Sequence, residues 1–389
     1  MLLGRILTNR SRSGVGPIGL DVGSDSVRMI QFRRTGNRLT AVASASRPLS
    51  EGQELAGAEP EVRRRLAATA VRDMLHTGSF RGRDVVSCLR ADELAVKNVR
   101  LPQMSDQELA GAVGWECQER FGFEVTPDRV HFIRAGEIRQ GSENRDEILL
   151  MAISEEQIRQ HMAMLEAMRL RPLHIEAEPL ALFRAYQRFL RRSRDESHVS
   201  VIVDIGLSGS KVVIARGSTP LFIKAVGING RKLNESVAHE LGLTYAEAAH
   251  FRRGLSGPAA EEDDGRPDSQ IEWSVLDAIR GQVEELAREV ALCLRYCSVT
   301  FRGLRPSRVT LTGGEAYGPA VVKLLDEYLD YECEVGQPLK GIDLSQVTLA
   351  GDRRGVLTEW SVAAGLALRT LMDTEPERKG ADAPSRLSA

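Results

Sequence analysis

The chain has 389 residues, of which 42% are hydrophobic and 27% are charged, and its formal net charge is −2 at pH 7. A chain of this length exceeds one typical hydrophobic core and predicts about two to four structural units of a globular protein. Because the net charge is slightly negative and no long basic block occurs, the composition argues against nucleic acid as a partner.

The N-terminal residues and the cysteines bear on location. Residues 1–16 contain arginines but no signal-peptide core, and no apolar run approaches the ~20 residues that span a bilayer. Residues 1–16 are expected to form a flexible arm, with a weak interfacial anchor through Leu2, Leu3, Ile6 and Leu7 as the alternative. The five scattered cysteines form no CxxC pair, which is typical of a reducing cytoplasm. Any association with a membrane is therefore expected to be peripheral or through a partner.

The first predicted unit opens with a strand, a turn and a second strand over residues 18–30. The apolar first strand runs into the turn Asp21-Val-Gly23-Ser24-Asp25-Ser26, after which the apolar pattern resumes. A third strand, a helix with apolar residues at three- and four-residue spacing, and a fourth strand follow. We assign residues 17–90 and 171–196 to a first half-domain.

A smaller unit is predicted between residues 91 and 170. Its pattern is strand, helix, strand, strand, helix, and its first strand is closed by Pro102. The segment Ser105-Asp-Gln-Glu108 is typical of a capping box, in which the hydroxyl and the carboxylate satisfy backbone donors reciprocally. This block predicts a small β-α-β-β-α module inserted into the first half-domain.

The opening pattern recurs over residues 201–214, where a strand meets the turn Asp204-Ile-Gly206-Leu-Ser208-Gly209-Ser210 before a second strand. Two matching turns, separated by 204 − 21 = 183 residues, predict two related half-domains that face a common ligand. The remaining units are the second half-domain at 197–231 and 303–372, a helical subdomain at 232–302 with an acidic loop at 254–270, and a disordered tail at 373–389.

The two turns have the chemistry of a phosphate site. Each Asp-x-Gly turn exposes backbone N–H groups that bind phosphate oxygens, and glycine permits the close approach. The hydroxyls can donate to β- and γ-phosphates, and the aspartates can hold Mg²⁺ through water, because Mg²⁺ prefers few carboxylates and several waters. Arg28 and Lys211 add positive charge, although we expect both side chains to point along their strands. The predicted phosphate-binding residues are Asp21, Gly23, Ser24, Ser26, Arg28, Asp204, Gly206, Ser208 and Ser210.

The two turns and a later di-glycine, in this order, resemble the actin-like ATPase superfamily. Within it, the chain is similar to the FtsA-like PilM family of type IV pilus assembly proteins over residues 15–372. The resemblance implies an α/β, actin-like ATPase fold of two RNase H-like half-domains with a small inserted β-α-β-β-α subdomain. The segments that carry it besides the turns are Leu101–Glu116, Ile175–Ala185, Gly242–Ala249 and Leu311–Glu315.

By the same resemblance, ATP or ADP would bind between the half-domains, with Mg²⁺ held through water by Asp21 and Asp204. Glu178 stands where the superfamily often places a catalytic, water-orienting residue. The alternative role for Glu178 is a helix N-terminal carboxylate that the helix dipole favours. The remaining residues that the resemblance places at the nucleotide are Gly230, Glu235, Gly313 and Gly314.

The resemblance also implies a partner and a location. The cytoplasmic N-terminal peptide of a PilN-like inner-membrane protein would dock in a groove between the first half-domain and the insert. The protein would then lie in the cytoplasm at the inner face of the membrane, in a type IV pilus or a type II secretion-like assembly complex. Self-association is a further mode of assembly that the resemblance allows.

Three departures from the family pattern affect the expected activity. Arg28 replaces the usual lysine, the second turn at 207–211 lacks a threonine-rich run, and Asn229-Gly230 replaces a di-glycine. We therefore expect at most a slow ATPase that senses nucleotide. The competing hypotheses are a nucleotide-free scaffold of the same fold and, ranked last, a small-molecule kinase, since no separate substrate loop with a catalytic aspartate is evident.

Overall fold

A computed structural model describes residues 14–49, 60–126, 129–190, 193–254, 269–349 and 356–372. Residues 1–13 of the predicted arm, nearly all of the acidic loop and the tail from residue 373 lie outside the described residues. The first strand begins at Val15, because Val15 pairs with Arg33 of the second strand, so the predicted arm ends earlier than residue 16.

The strands and helices follow one another largely in the order that the apolar spacing predicts. The strands are β1 Val15–Val22, β2 Ser26–Thr35, β3 Arg38–Pro48, β4 Asp84–Leu89, β5 Ala95–Pro102, β6 Val130–Gln140, β7 Glu143–Ala152, β8 Arg171–Ala177, β9 Val199–Ile205, β10 Ser210–Arg216, β11 Thr219–Val226, β12 Arg308–Thr312 and β13 Glu332–Val335. The helices are α1 Pro60–Thr77, α2 Asp106–Phe121, α3 Glu155–Ala167, α4 Glu178–Gln187, α5 Gly230–Leu241, α6 Tyr245–Gly254, α7 Ser269–Thr300, α8 Pro319–Tyr328 and α9 Ser361–Met372.

Two five-stranded sheets have the same topology. The first has the order β3-β2-β1-β4-β8 and the second the order β11-β10-β9-β12-β13. In each sheet the first three strands are antiparallel, and the last two run parallel to the strand that carries the aspartate. Hairpin turns join antiparallel strands, whereas parallel strands need longer crossovers, which explains where the helices and the insert enter. The repeated topology confirms the prediction of two related half-domains.

The inserted module has the predicted β-α-β-β-α order and a three-stranded antiparallel sheet, β5-β7-β6. The capping box predicted at Ser105 and Glu108 is present at the start of α2, which covers one face of this sheet. On the opposite face, Leu149 and Met151 pack among side chains of the second half-domain, including Val213. Because alternate strand residues point to opposite faces, the sheet of the insert lies between α2 and the second half-domain.

Two helices cross between the half-domains. Helix α4 follows the first sheet in sequence but packs Leu182 and Phe183 among residues of the second sheet. Helix α9 does the reverse, since it packs against β1 and α4. The sequence prediction grouped residues 303–372 with the second half-domain, whereas α9 and the bridge between Thr40 and Asp343 belong by contact to the first sheet.

A buried histidine in helix α3 of the insert makes the stability of the folded protein depend on pH. His161 of α3 lies 2.9 Å from the Ser87 hydroxyl of β4, measured from Nε2 to Oγ. Burial lowers the pKa of His161 to about 4, against an ordinary value of 6.5. Below pH 6.5 the unfolded chain therefore binds a proton that the folded chain does not, and stability falls as the pH drops towards 4.

We expect this single group to remove about 3 kcal/mol of stability between pH 7 and pH 4, at about 1.4 kcal/mol per pKa unit. His161→Gln keeps a polar partner for Ser87 but does not titrate, so its free energy of unfolding should decline less over that range. Urea denaturation of both proteins at a series of pH values measures the difference. Parallel pH profiles would show that His161 does not carry this dependence.

Candidate functional site

The two Asp-x-Gly turns have equivalent geometry. In the first turn the Gly23 N–H donates to the Ser26 carbonyl at 2.9 Å, and in the second the Gly206 N–H donates to the Gly209 carbonyl at 3.1 Å. Asp21 lies directly across the hairpin from Arg28. At the second turn Asp204 faces Lys211 in the same register, so each turn places one aspartate beside one cation.

Lys211 joins the half-domains instead of pointing along its strand, so that expectation was wrong. Its Nζ lies 2.5 Å from Asp204 Oδ2 and 2.7 Å from Glu178 Oε1, and all three side chains are largely buried. Burial alone would lower the pKa of Lys211, but Asp204 and Glu178 outweigh burial and raise it above its usual value. One ammonium therefore forms ion pairs with carboxylates from both half-domains.

Glu178 has both carboxylate oxygens engaged. Besides Lys211 at Oε1, the backbone N–H of Ala91 donates to Oε2 at 2.8 Å. Glu178 is also the first residue of α4, where the helix dipole favours a negative charge. In this arrangement Glu178 links the start of the insert to the second turn.

Asp21 is buried beside this cluster without a comparable partner. It is 8% exposed, and no hydrogen bond to its carboxylate is found among the described residues. Burial raises the pKa of the Asp21 carboxyl to about 7, with Arg28 opposing the shift and Glu178 adding to it. A buried carboxylate without donors is costly unless a ligand, ion or water supplies them.

Two further polar atoms at the turns are buried without a hydrogen-bond partner. They are Arg28 Nε in the first half-domain and Ser210 Oγ, on a residue that is 2% exposed, in the second. Buried donors of this kind are rare in folded proteins and call for an explanation. Together with the acceptor on Asp21, they fit a bound group that has both anionic oxygens and a cation.

The di-glycine lies against the second turn. Gly313 has φ +91°, and a Cβ there would lie 2.5 Å from the Ile205 carbonyl oxygen and 2.8 Å from Asp204 Oδ1, so only glycine fits. Gly230 is equally close-packed, since a Cβ would strike the Glu315 carboxylate. These two glycines bring β12 and the start of α5 into contact with the second turn.

Hydrogen bonds and an ion pair from polar side chains fix the segments next to Gly313 and Gly314. Arg252 of α6 binds Glu315 and Asn234, which ties the helical subdomain to the residue after Gly314. The Thr358 hydroxyl donates to the Gly313 carbonyl at 2.8 Å, and Thr358 belongs to the segment that leads into α9. The position of the di-glycine is thus coupled to both the helical subdomain and the crossing helix.

The remaining predicted residues differ in what they contact. Ser24 and Ser208 lie partly exposed in the two turns, and the Ser26 hydroxyl donates to Asp25 at 3.1 Å. Gly314 has open space around it. Glu235 is exposed on α5 and has no polar contact within the described part of the chain, so nothing brings it to the cluster.

Sequence reasoning missed two sets of contacts. One is the hydrogen bond from the Ala91 N–H to Glu178, and the other is the binding of Asn234 and Glu315 by Arg252. The N–H of Ala91 carries no side-chain signal, and Arg252 reaches Glu315 only after α6 has folded against α5. Among the described residues, no group of three or more histidine, cysteine, aspartate or glutamate side chains is arranged to hold a metal ion. Cys293 and Cys297 lie in the core of the second half-domain.

No helix in the described ranges has the length and apolar character that crossing a bilayer requires.

Two solved structures are similar to this protein over nearly the whole chain. The solved PilM-PilN type IV pilus biogenesis complex is similar, with 23% identity, a TM-score of 0.72, and coverage of 93% of this chain and 100% of that chain. The ethanolamine utilization protein EutJ from Carboxydothermus hydrogenoformans shares 13% identity with a TM-score of 0.50, over 92% of this chain and 91% of that chain.

These likenesses confirm the predicted actin-like fold of two half-domains with an insert. The family model described as type IV pilus assembly protein PilM matches residues 19–371, which is nearly the whole of the described chain. The chain therefore belongs to the PilM family of type IV pilus assembly proteins.

Proposed function

We propose that this protein binds ATP or ADP with Mg²⁺ between its half-domains and acts as an adaptor in a type IV pilus assembly complex. The observation that carries the nucleotide part is the set of unpartnered buried polar atoms at the two turns, Arg28 Nε and Ser210 Oγ, beside the carboxylate of Asp21. Two donors and one acceptor, from both half-domains, match phosphate oxygens and a hydrated cation.

In this proposal the phosphate chain lies between the turns. Ser210 and Arg28 donate to its oxygens, with the turn hydroxyls and N–H groups around them, and Asp21 and Asp204 hold Mg²⁺ through water. When bound, the metal would supply charge neutralisation for the phosphates. Gly230, Gly313 and Gly314 would line the nucleoside side, where Gly314 has open space around it.

Hydrolysis is proposed to be slow at most. A water at the Glu178 carboxylate would have to share oxygens that Lys211 and the Ala91 N–H already bind. Removing a buried carboxylate from its counter-charge is costly. The bound state of the nucleotide, and not its turnover, would then be the signal.

The partner in this proposal is the cytoplasmic N-terminal peptide of a PilN-like inner-membrane protein. Membership of the PilM family and the similarity to the solved PilM-PilN complex support this partner. The proposed groove lies between the first half-domain and the insert, whose helix α3 packs against α1. The protein would work in the cytoplasm at the inner face of the membrane, held there by its partner.

Calorimetric titration with ATP and Mg²⁺ tests the nucleotide part. We expect Ser210→Ala to weaken binding about fivefold and Arg28→Met about tenfold or more, because neutral and charge-assisted hydrogen bonds to the phosphates are lost. Ser298→Ala, an exposed serine on α7, is the matched control and should bind as the unmodified chain does. Absence of binding to the unmodified chain would refute the nucleotide site.

One observation favours a second candidate function, a scaffold that works without nucleotide. Lys211 already supplies positive charge to Asp204 and Glu178, and a bound metal ion would otherwise provide this charge compensation. A labelled peptide with the sequence of the partner's cytoplasmic N-terminus separates the two candidates. An adaptor binds it with an affinity that changes when ATP and Mg²⁺ are added, whereas a scaffold binds it equally with and without them.

A further inference from the structure

The C-terminal half of α7 exposes aliphatic side chains between arginines. Val299 is 74% exposed and Leu292 is 47% exposed, which is unusual for aliphatic residues on a helix that contributes to a core. Arg295 and Arg302 are exposed at positions three and four residues from them. Because residues three or four apart share one side of a helix, Leu292, Arg295 and Val299 form a single stripe, and Arg302 lies two residues beyond the end of α7.

The stripe continues into a wider basic surface. Arg305 is exposed just beyond the end of α7. Arg216, at the end of β10, reaches the same neighbourhood, since a Cβ at Gly136 would lie 3.4 Å from both Arg216 Nη2 and the ring of Phe301. We call Leu292, Arg295, Val299, Arg302 and Arg305 the α7 stripe.

The arginines of this surface have no internal counter-charge. Within the described ranges, Arg295, Arg302, Arg305 and Arg216 form no ion pair, although many other arginines of the protein do. Asp330 lines the same shallow pocket as Arg295 and reduces the net charge there. The arginines of the surface that Asp330 does not offset are therefore Arg302 and Arg305, close in sequence to the exposed Val299.

We propose that the α7 stripe binds the anionic headgroup surface of a lipid bilayer. Guanidinium groups bind lipid phosphates bidentately, and protruding aliphatic side chains between them can enter the headgroup layer, which is the pattern of interfacial helices. The chain as a whole has a net charge of −2, so the attraction is local and orients the molecule on the surface. This inference rests on the proposed function, which brings the protein to a membrane through its partner.

A membrane suits this surface better than nucleic acid or an acidic protein helix. The stripe contains no aromatic side chain on which a base could stack. Its aliphatic residues protrude instead of lining a groove, whereas a partner helix needs an apolar groove to fill. A lipid surface is a weak anchor by itself and becomes effective with a second attachment, which the proposed peptide partner supplies.

Vesicle sedimentation of the full chain tests the proposal. At low ionic strength the unmodified chain should sediment with vesicles of equal parts phosphatidylcholine and phosphatidylglycerol but not with phosphatidylcholine alone. The double variant Arg302→Glu with Arg305→Glu should reduce the bound fraction at least about tenfold, because each cation contributes roughly a fivefold factor near an anionic surface. Added salt should have the same effect as the substitutions.

A control with the same change of charge keeps the test specific. Arg65→Glu with Arg72→Glu alters two exposed arginines of α1 and should leave sedimentation unchanged. Equal loss in the control, no sedimentation of the unmodified chain, or binding of polyglutamate without binding of vesicles would each overturn the inference. Nucleotide and peptide titrations of the α7 variant should match those of the unmodified chain, so failure of the stripe is distinguishable from failure of the proposed function.

Discussion

Lys211→Met is expected to destabilise the protein by about 3–5 kcal/mol, the range for removing one partner of a buried ion pair. Methionine retains much of the aliphatic volume of lysine but leaves the carboxylates of Asp204 and Glu178 without their shared counter-charge. Two buried carboxylates in one site also repel each other, which adds to the loss of stability. Urea denaturation at pH 7 measures the loss as a lower transition midpoint.

A combined variant separates the charge from the packing. Adding Asp204→Asn and Glu178→Gln to Lys211→Met replaces both carboxylates by neutral amides of similar shape and should recover most of the lost stability, since buried ion clusters are often replaceable by neutral groups. If the triple variant is no more stable than Lys211→Met alone, the cluster does not act through its charges. Nucleotide binding by the triple variant should still be weak, because the proposed metal ligand Asp204 is gone.

Lys211 also shows what the sequence could and could not disclose about the site. The position of Lys211 beside Asp204 follows from the hairpin itself, because the turn sets the register and places the two residues opposite each other. The same spacing of seven residues separates Asp21 from Arg28. Counting this register would have placed Lys211 across from the aspartate. The contact with Glu178 comes from the other half-domain, and no local pattern indicates it.

The features that were predictable are those with local chemistry. Glycine and aspartate mark the two hairpin turns, a serine with a glutamate three residues later marks the start of α2, and strand alternation marks the sheets. Their repetition along the chain indicates two related half-domains. The order of the inserted elements followed in the same way.

The features that the sequence does not indicate are contacts between elements that lie far apart along the chain. Helix α9 is adjacent in sequence to the second half-domain, yet its small residues pack against β1 and α4. The sequence marks Ala363, Ala364 and Gly365 as a patch of small residues but does not say what approaches them. The insert's contact with the second sheet was missed for the same reason, since apolar alternation identifies a buried face without naming the element that buries it.

Gly365→Ala is expected to destabilise the protein by about 3 kcal/mol or more and to reduce the yield of folded protein. A Cβ at residue 365 would lie 1.8 Å from the Ala181 carbonyl oxygen and 2.6 Å from its carbonyl carbon. Both atoms belong to the backbone of α4, so no side-chain rotation relieves the overlap, and the two crossing helices must separate.

The control for this substitution is Gly281→Ala on the exposed side of α7, where a Cβ would have nothing within 4 Å. Alanine there should stabilise the protein by about 0.4–1 kcal/mol, because it restricts the unfolded chain and favours the helix. In thermal denaturation, Gly365→Ala should therefore lower the midpoint temperature and Gly281→Ala should raise it, although both variants add the same methyl group. If both variants melt at the same temperature, α4 and α9 are not in the close contact that joins the half-domains, because only the close approach of α9 to α4 distinguishes the two positions.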